Sequence, residues 1–291
     1  MERKTNKKLN LKNDIIFKTF FSRKGNEKFL IDFLNALLKI EIKNIKVLGE
    51  VSLEQLTQDE KGGRIDIQAE LDSGIVIDIE MQMQDEKNIE ERTTYYAAKI
   101  LSKETKRGTE YNQIKQVIMI NILNYNLLGF DEYISETVTV LDKHRDFELI
   151  KGVKWYFIEL PKFRKSNPDM NDKINQWLAF IDDYDKELVQ MAEKKNKTLK
   201  EAGIEIYTLT GDEEVQRLAE LREKWEMDRI SEIGYVKREV KQSILKKLIK
   251  MGKNHEEIME IMDIPKEEEH IINEMEEKLK NNVENQDEIE K

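Results

Sequence analysis

The sequence predicts a mixed α/β (α+β) domain followed by an all-helical extension. Three observations predict this architecture: helical periodicity near the start, two strictly alternating stretches joined by a turn, and a long Glu- and Lys-rich helical pattern after about residue 170. Three prolines and twelve glycines in 291 residues favour long helices over a loop-rich β-sandwich. We predict a first domain over residues 1–170, a helical extension over 171–280 and a disordered acidic tail over 281–291.

Two helices are predicted before the alternating stretches. LKNDIIFKTFFS has a start signal at Asn13 or Asp14, and NEKFLIDFLNALLK repeats Phe and Leu at helical spacing. Farther along, NIEERTTYYAAKILSKETKRG predicts a polar helix, whereas QVIMINILNYNLL and VKWYFIEL predict buried strands. This order describes a mixed sheet flanked by helices.

The alternating stretches GRIDIQAEL and IVIDIEMQ predict a β-hairpin. Asp72, Ser73 and Gly74 form the turn, and a left-handed Gly74 pairs Leu71 with Ile75. In that register, the apolar residues of both strands lie on one side of the hairpin. On the other side, the register sets Asp66 directly opposite Glu80.

Two opposed carboxylates have Cβ atoms roughly 4.5–5.5 Å apart, and their repulsion must be offset by a proton, a basic neighbour or a cation. Oxygen ligands suit Mg²⁺ or Mn²⁺, and such an ion can polarise a phosphate and generate hydroxide near neutral pH. The alternative is that the polar residues form the solvated face of a half-exposed antiparallel sheet. On the hairpin alone, the solvated face is the commoner arrangement.

Charge is distributed unevenly along the chain, whose formal net charge is −10. Residues 1–46 contain twelve Lys or Arg against five Asp or Glu, whereas residues 251–291 contain five Lys against fourteen acids. The basic start can therefore face phosphates, or it is simply a solvated end.

Composition also excludes several classes of protein. The absence of cysteine excludes disulfides, a thiolate nucleophile and a zinc finger. No apolar stretch approaches the roughly 18 residues of a membrane span, and the start lacks the apolar core of a signal peptide. We therefore expect a cytoplasmic protein that does not bind membranes.

An acidic residue on one strand, followed after a turn by an apolar strand ending in E-x-K or E-x-Q, resembles the PD-(D/E)XK nuclease motif. Here it is Asp66, then Glu80-Met81-Gln82. The segments KNDIIFKTFF, FLIDFLNALL, RIDIQAELDSGIVIDIEMQ, ERTTYYAAKI and IKQVIMINILNYNLL together resemble the family of recombination-promoting nucleases and transposases. The resemblance spans roughly residues 10–185 and implies a restriction-endonuclease-like core.

The resemblance also implies the site residues. Asp66 and Glu80 would be the metal ligands, together with the backbone carbonyl of Met81. Gln82 stands where the motif has lysine, and it can orient water but cannot act as a base. Asp14 matches an acidic position on the first helix, where it would support the site through water or serve as a helix N-cap.

Further positions that match the family pattern suggest DNA contacts. Lys18, Arg92, Tyr96 and Lys99 are the candidates, and the last three share a helix face by their spacing. They would contact phosphates or stack at the groove; alternatively, the tyrosine packs in the core and the charges are solvated.

The implied activity is a Mg²⁺- or Mn²⁺-dependent deoxyribonuclease, an endonuclease acting in recombination, transposition or defence against foreign DNA. One alternative is a catalytically silent DNA-binding or regulatory protein that keeps the nuclease fold. Another is a helical interaction protein whose hairpin is purely structural.

The tail segment LKKLIKMGKNHEEIMEIMDIPKEEEHI resembles the short helix-turn-helix-like end found in this family. A helix that reads DNA should be basic, whereas HEEIMEIMD and KEEEHIINEMEEK are acidic. We therefore predict a protein contact, either self-association into a homodimer or masking of the basic domain, rather than a second DNA reader. The alternative is an ordinary solvated extension.

Overall fold

The computed structural model describes residues 10–48, 67–104, 110–150 and 152–277. Its strands are β1 (Ile45–Leu48), β2 (Ile67–Leu71), β3 (Val76–Gln82), β4 (Val117–Leu123), β5 (Ile134–Glu136), β6 (Thr139–Leu141), β7 (His144–Ile150) and β8 (Val153–Glu159). Its helices are α1 (Asp14–Ser22), α2 (Glu27–Leu38), α3 (Ile89–Glu104), α4 (Leu160–Lys165), α5 (Lys173–Asp182), α6 (Lys186–Lys195), α7 (Lys197–Thr210), α8 (Glu213–Lys250), α9 (His255–Met262) and α10 (270–277).

Six strands form one mixed sheet in the order β1-β2-β3-β4-β8-β5, and β6 and β7 form a separate two-stranded sheet. The pairs β3–β4 and β4–β8 are parallel, and the other pairs of the large sheet are antiparallel. Helix α3 connects the parallel strands β3 and β4, as a parallel pair requires. The mixed sheet flanked by helices agrees with the predicted fold class.

The predicted hairpin has the predicted register. Ile67 pairs with Ile79, and the Leu71 N–H donates to the Ile75 carbonyl over 2.9 Å. Gly74 has a φ of 81°, the left-handed conformation that the turn requires. The apolar side chains of β2 and β3 therefore lie together on one face of the sheet.

That apolar face packs against α1, α2 and α5. Aromatic side chains from these helices, among them Phe21, Phe33 and Trp177, lie in the same buried cluster as Ile67, Ile77 and Ile79. Helix α1 begins where the sequence predicts, because the Asn13 side chain accepts hydrogen bonds from the N–H groups of Ile15 and Ile16. Asn13 is thus the N-cap, and Asp14 is the first helical residue.

The opposite face of the sheet carries Val76, Asp78, Glu80 and Gln82 of β3, and Val117, Met119 and Asn121 of β4; we call it the Glu80 face. Helix α3 covers it, with Ala97 and Ile100 packed against Val76, Val117 and Met119. The sheet is therefore covered on both sides, as strands buried on both faces require.

Two compact units divide the chain, residues 1–223 and 224–291. The predicted first domain ends at residue 170, but Trp177, Leu199 and Ala219 belong to the same core cluster as the sheet. The first unit reaches farther than predicted because α5, α6, α7 and the start of α8 complete that core. The predicted disordered tail, residues 281–291, lies outside the described residues.

The second unit has its own small core, formed by side chains of α8, α9 and α10 around Leu245, Ile258 and Ile272. The turns predicted at Gly252 and Pro265 separate these helices. His255 at the start of α9 has its two ring nitrogens 3.1 Å from Glu269 Oε1 and 3.2 Å from Glu276 Oε1. The hydrogen bond with Glu269, reinforced by Glu276, raises the pKa of His255.

None of the described helices combines the length and the apolar character that crossing a membrane requires.

Candidate functional site

Glu80 and Gln82 form the buried polar centre of β3. The Glu80 side chain is 1% exposed, and the Gln82 Nε2–H donates to Glu80 Oε2 over 2.7 Å. Both residues point to the Glu80 face because they alternate with Ile79 and Met81, which point to the apolar face. A carboxylate buried to this extent is costly unless it is hydrogen-bonded, and Gln82 supplies one such bond.

The alternative of a solvated sheet face is wrong for β3. Every residue of this strand is buried, because β2 and β4 flank it and α3 covers it. Asp78 is also buried, at 1% exposure, and its Oδ1 accepts a hydrogen bond from Gln68 Nε2 over 3.0 Å. The two acidic residues of β3, Asp78 and Glu80, are therefore shielded from bulk water.

Asn121 of β4 lies beside Glu80 in the parallel register of the two strands, on the same face. Its Nδ2 lies 3.3 Å from Thr93 Oγ1 on α3 and 3.4 Å from the Tyr156 carbonyl. A carbonyl only accepts, so the amide nitrogen must face Tyr156. The Oδ1 of Asn121 is buried and has no hydrogen-bond partner among the described residues, although buried polar atoms normally have one. It is therefore an oxygen available for a water or a cation next to Glu80.

Tyr125, just after β4, reports an acidic neighbourhood at the same place. Its pKa is raised to about 12, first by burial and then by the negative charges of Asp85, Glu86 and Glu80. Arg92 has the opposite effect and lowers the pKa of Tyr125. The Arg92 Nη1 atom lies 3.1 Å from Glu86 Oε2. Tyr125 hence keeps its proton at neutral pH in this acidic neighbourhood.

A second polar cluster lies where the parallel strands end. The Asn124 N–H donates to the Gln82 carbonyl over 2.9 Å, and Asn124 Oδ1 accepts from Arg164 Nη2. Arg164 also donates twice to Asp182, at 2.8 and 2.6 Å, and Lys12 Nζ lies 3.3 Å from the same carboxylate. The carboxyl ends of parallel strands are where α/β proteins bind ligands.

Sequence reasoning missed Asn121, Tyr125 and the Arg164–Asp182 pair. A signal for Asn121 was present: it is a polar residue inside the otherwise apolar strand VIMINIL. A buried polar residue in such a strand indicates a specific partner. Arg164 and Asp182 are 18 residues apart, so only the packing of α4 on α5 brings them together.

The predicted residues of the first helix lie apart from this site. Asp14 Oδ2 is 2.6 Å from Arg222 Nη2 of α8, and both side chains are 15% exposed. Lys18 is half-buried on the same helix. The alternative that Asp14 is the helix N-cap is wrong, because Asn13 occupies that position. Helix α1 packs against the apolar face, and the roles of Asp14 and Lys18 at the site stay predictions.

The other predicted DNA contacts lie on α3, which covers the Glu80 face. Arg92 and Tyr96 are half-buried, and Lys99 is exposed with its Nζ 5.9 Å from the centre of the Tyr96 ring. Tyr96 packs against the cluster of Ala97 and Ile100, so core packing accounts for part of its surface. Tyr95 beside it is 61% exposed and stands edge-on to Tyr96, with ring centroids 5.1 Å apart.

The predicted metal ligand Asp66 lies outside the described residues, which resume at Ile67. Among the described residues, no three His, Cys, Asp or Glu side chains group in a way that suits a metal ion. The candidate donors on the Glu80 face are both oxygens: the Glu80 carboxylate, and Asn121 Oδ1, which has no hydrogen-bond partner among the described residues. Oxygen donors fit Mg²⁺ or Mn²⁺ and do not fit a thiolate- or imidazole-seeking metal.

Comparison with protein-family models gives a match over residues 11–236, to a family described as PD-(D/E)XK nuclease family transposase. The matched segment includes the Glu80 face and the cluster around Arg164. Among curated proteins and among solved structures, no significant match was found.

Proposed function

The chain belongs to the PD-(D/E)XK nuclease family transposases, and from this membership we propose that it is a metal-dependent DNA endonuclease. Its fold, a mixed sheet flanked by helices, is that of the PD-(D/E)XK core, and the family supports a nuclease- or transposase-related function. The observation that carries the proposal is the buried Glu80 carboxylate, held by Gln82 and lying beside Asn121 on the next strand.

PD-(D/E)XK nucleases generally use divalent metal ions. We propose Mg²⁺, or Mn²⁺, held by Asp66, Glu80 and the backbone carbonyl of Met81, with Asn121 Oδ1 as a further oxygen. Such an ion, when bound, polarises the scissile phosphate and lowers the pKa of water. Opposed carboxylates in one hairpin repel each other, so a cation between them would also stabilise the fold.

Gln82 has two tasks in this proposal. Its Nε2–H fixes the orientation of the Glu80 carboxylate through the 2.7 Å hydrogen bond. Its Oε1 then remains as an acceptor that can orient the attacking water, because an amide has both donor and acceptor groups. A neutral amide cannot take the proton from that water at neutral pH, so the general base is not Gln82.

DNA is the proposed substrate, and two sets of residues, four basic side chains and one tyrosine, support it. Arg92, Tyr96 and Lys99 lie on α3 over the Glu80 face. Lys12 and Arg164 lie near the carboxyl ends of β3 and β4, anchored by the buried Asp182. Basic side chains contact phosphates and position the duplex without reading its sequence. Lys18 of α1, whose helix packs on the other face, is proposed as a more distant phosphate contact.

The glutamine in place of the motif's lysine favours a second candidate, a DNA-binding or regulatory protein that keeps the fold without turnover. Cleavage of supercoiled plasmid in Mg²⁺ and in EDTA separates the two functions. We expect Mg²⁺-dependent nicking or linearisation by the wild type and its loss in Asp66→Ala and Glu80→Ala. Gel-shift binding without cleavage in the wild type would establish the second candidate instead.

A matched control tests whether loss of activity reflects the site or merely a damaged core. Asp78 is as buried as Glu80 and lies two residues earlier on the same face. Asp78→Asn should keep cleavage while Glu80→Gln loses it. Equal loss in both variants, or activity unchanged in Glu80→Gln, would contradict the catalytic assignment.

The proposed setting is recombination, transposition or defence against foreign DNA, in the cytoplasm. The helical extension is proposed to pair two copies of the chain rather than to read DNA, because α9 and α10 are rich in glutamate.

A further inference from the structure

A continuous apolar stripe runs along the middle of α8. Its members recur every three or four residues, which places them on one side of the helix: Ile230, Ile233, Val236, Val240 and Ile244. Each is between 40% and 53% exposed. From Ile230 to Ile244 the stripe is about 21 Å long at 1.5 Å per residue.

The second unit does not bury this stripe in its own core. Leu245 and Ile249, which pack against α9 and α10, lie on a different side of α8 from Val240 and Ile244. An apolar stripe at helical spacing on an otherwise charged helix is the kind of surface that a second helix covers.

Charge along α8 indicates which helix that is. Residues 226–232 contain three acidic side chains and one basic, whereas residues 237–250 contain six basic side chains and one acidic. In a parallel pair, each of these segments would face the same segment of the second copy, so that like charges would lie opposite one another. An antiparallel copy sets the acidic segment against the basic one, and opposite charges in facing helices select that orientation.

The spacing within the stripe agrees with the antiparallel arrangement. If the two helices cross with a two-fold axis close to Val236 and Lys237, Ile230 faces Ile244 of the second copy and Ile233 faces Val240. The same axis sets Glu226 against Lys247 of the second copy. Apolar contacts and charge complementarity thus require the same axis, although they involve different residues. A two-fold axis makes the interface self-complementary.

We propose that two copies of this chain pair antiparallel through α8, with Ile230, Ile233, Val236, Val240 and Ile244 forming the contact. This deepens the proposed self-association of the helical extension. It does not depend on DNA cleavage, which the plasmid assay tests separately.

The mass of the full chain in solution is the first test, measured by size-exclusion chromatography with light scattering. We expect twice the chain mass of 34.6 kDa. Ile233→Glu with Val240→Glu should give the single-chain mass. The matched control is Ser231→Glu with Gln242→Glu, which adds the same charge on the other side of α8 and should leave the dimer intact. Circular dichroism checks that both variants keep their helix content.

Disulfide cross-linking tests the orientation, and the absence of cysteine from the chain makes each introduced thiol unambiguous. Val236→Cys, close to the axis, should cross-link with itself under mild oxidation. Ile230→Cys should not, because the two copies of residue 230 are about 21 Å apart along the helices and a disulfide requires Cα atoms within roughly 7 Å. Mixed with Ile244→Cys, it should form a hetero-disulfide.

A monomeric wild type would overturn the proposal. So would self-cross-linking of Ile230→Cys as efficient as that of Val236→Cys, which is the result of a parallel pair. Loss of the dimer in the control variant would show that another side of α8 carries the contact.

Discussion

Replacing Gln82 by methionine isolates the bond that orients the candidate metal ligand. Methionine keeps the length and unbranched shape of glutamine but cannot donate the 2.7 Å hydrogen bond to Glu80. A hydrogen bond to a charged group contributes about 1.5–3 kcal/mol. At about 1.4 kcal/mol per factor of ten, the rate of DNA cleavage should fall about 10- to 150-fold if the bond acts fully in the transition state.

A second variant at the same position separates the lost hydrogen bond from the changed shape. Gln82→Lys, which restores a donor at this position, should recover most of the rate. Cleavage by Gln82→Met within twofold of the wild type would refute this role of Gln82.

Three further predictions concern the site and the stability of the two units. Asn121→Asp places a carboxylate beside Glu80, so the metal-free protein should melt at a lower temperature and gain more from Mn²⁺ than the wild type does; an equal gain would contradict the proposed ligand. The raised pKa of His255 makes its stabilisation of the second unit present below about pH 6.5 and lost as pH rises through the raised value. NMR titration should place the pKa of His255 above the ordinary histidine value of about 6.5, and a value below 6.5 would refute the pairing. A fragment of residues 1–170 lacks Trp177 and its neighbours and should show no cooperative thermal unfolding. Cooperative unfolding of this fragment would support the predicted domain boundary at residue 170.

The hairpin could be predicted because its signals are local. Alternation fixes which face each side chain takes, and a left-handed Gly74 fixes the pairing of Leu71 with Ile75. The helix start at Asn13 and the turns at Gly252 and Pro265 depend on equally local chemistry. These features are therefore the ones that the structure confirms most closely.

The environment of Glu80 could not be predicted, because it is set by distant parts of the chain. The alternating polar residues of β3 suggested a solvated face, but α3 and β4 bury that face. Short strands such as β5 and β6 have too few residues for a periodic signal. The end of the first unit could not be predicted from the sequence either, because a helix that completes a core and a helix in an extension show the same periodicity.

The packing of separate helices also explains why the Arg164–Asp182 pair was missed. Each residue alone reads as an ordinary surface charge of a helical segment, and only the fold buries Asp182 and ties Arg164 to the end of β4. Replacing Arg164 alone would leave the buried Asp182 charge without this partner, a change that typically costs about 3–5 kcal/mol, so the single variant should destabilise the strand ends near Gln82.

Binding of Mn²⁺ to the full-length wild type and to Glu80→Gln, followed by electron paramagnetic resonance of the free ion, tests the central claim most directly. The proposed site predicts saturable binding by the wild type that weakens at least tenfold in Glu80→Gln, while Asp78→Asn binds as the wild type does. Equal Mn²⁺ affinity in the wild type and in Glu80→Gln would contradict the assignment of Glu80 as the metal ligand.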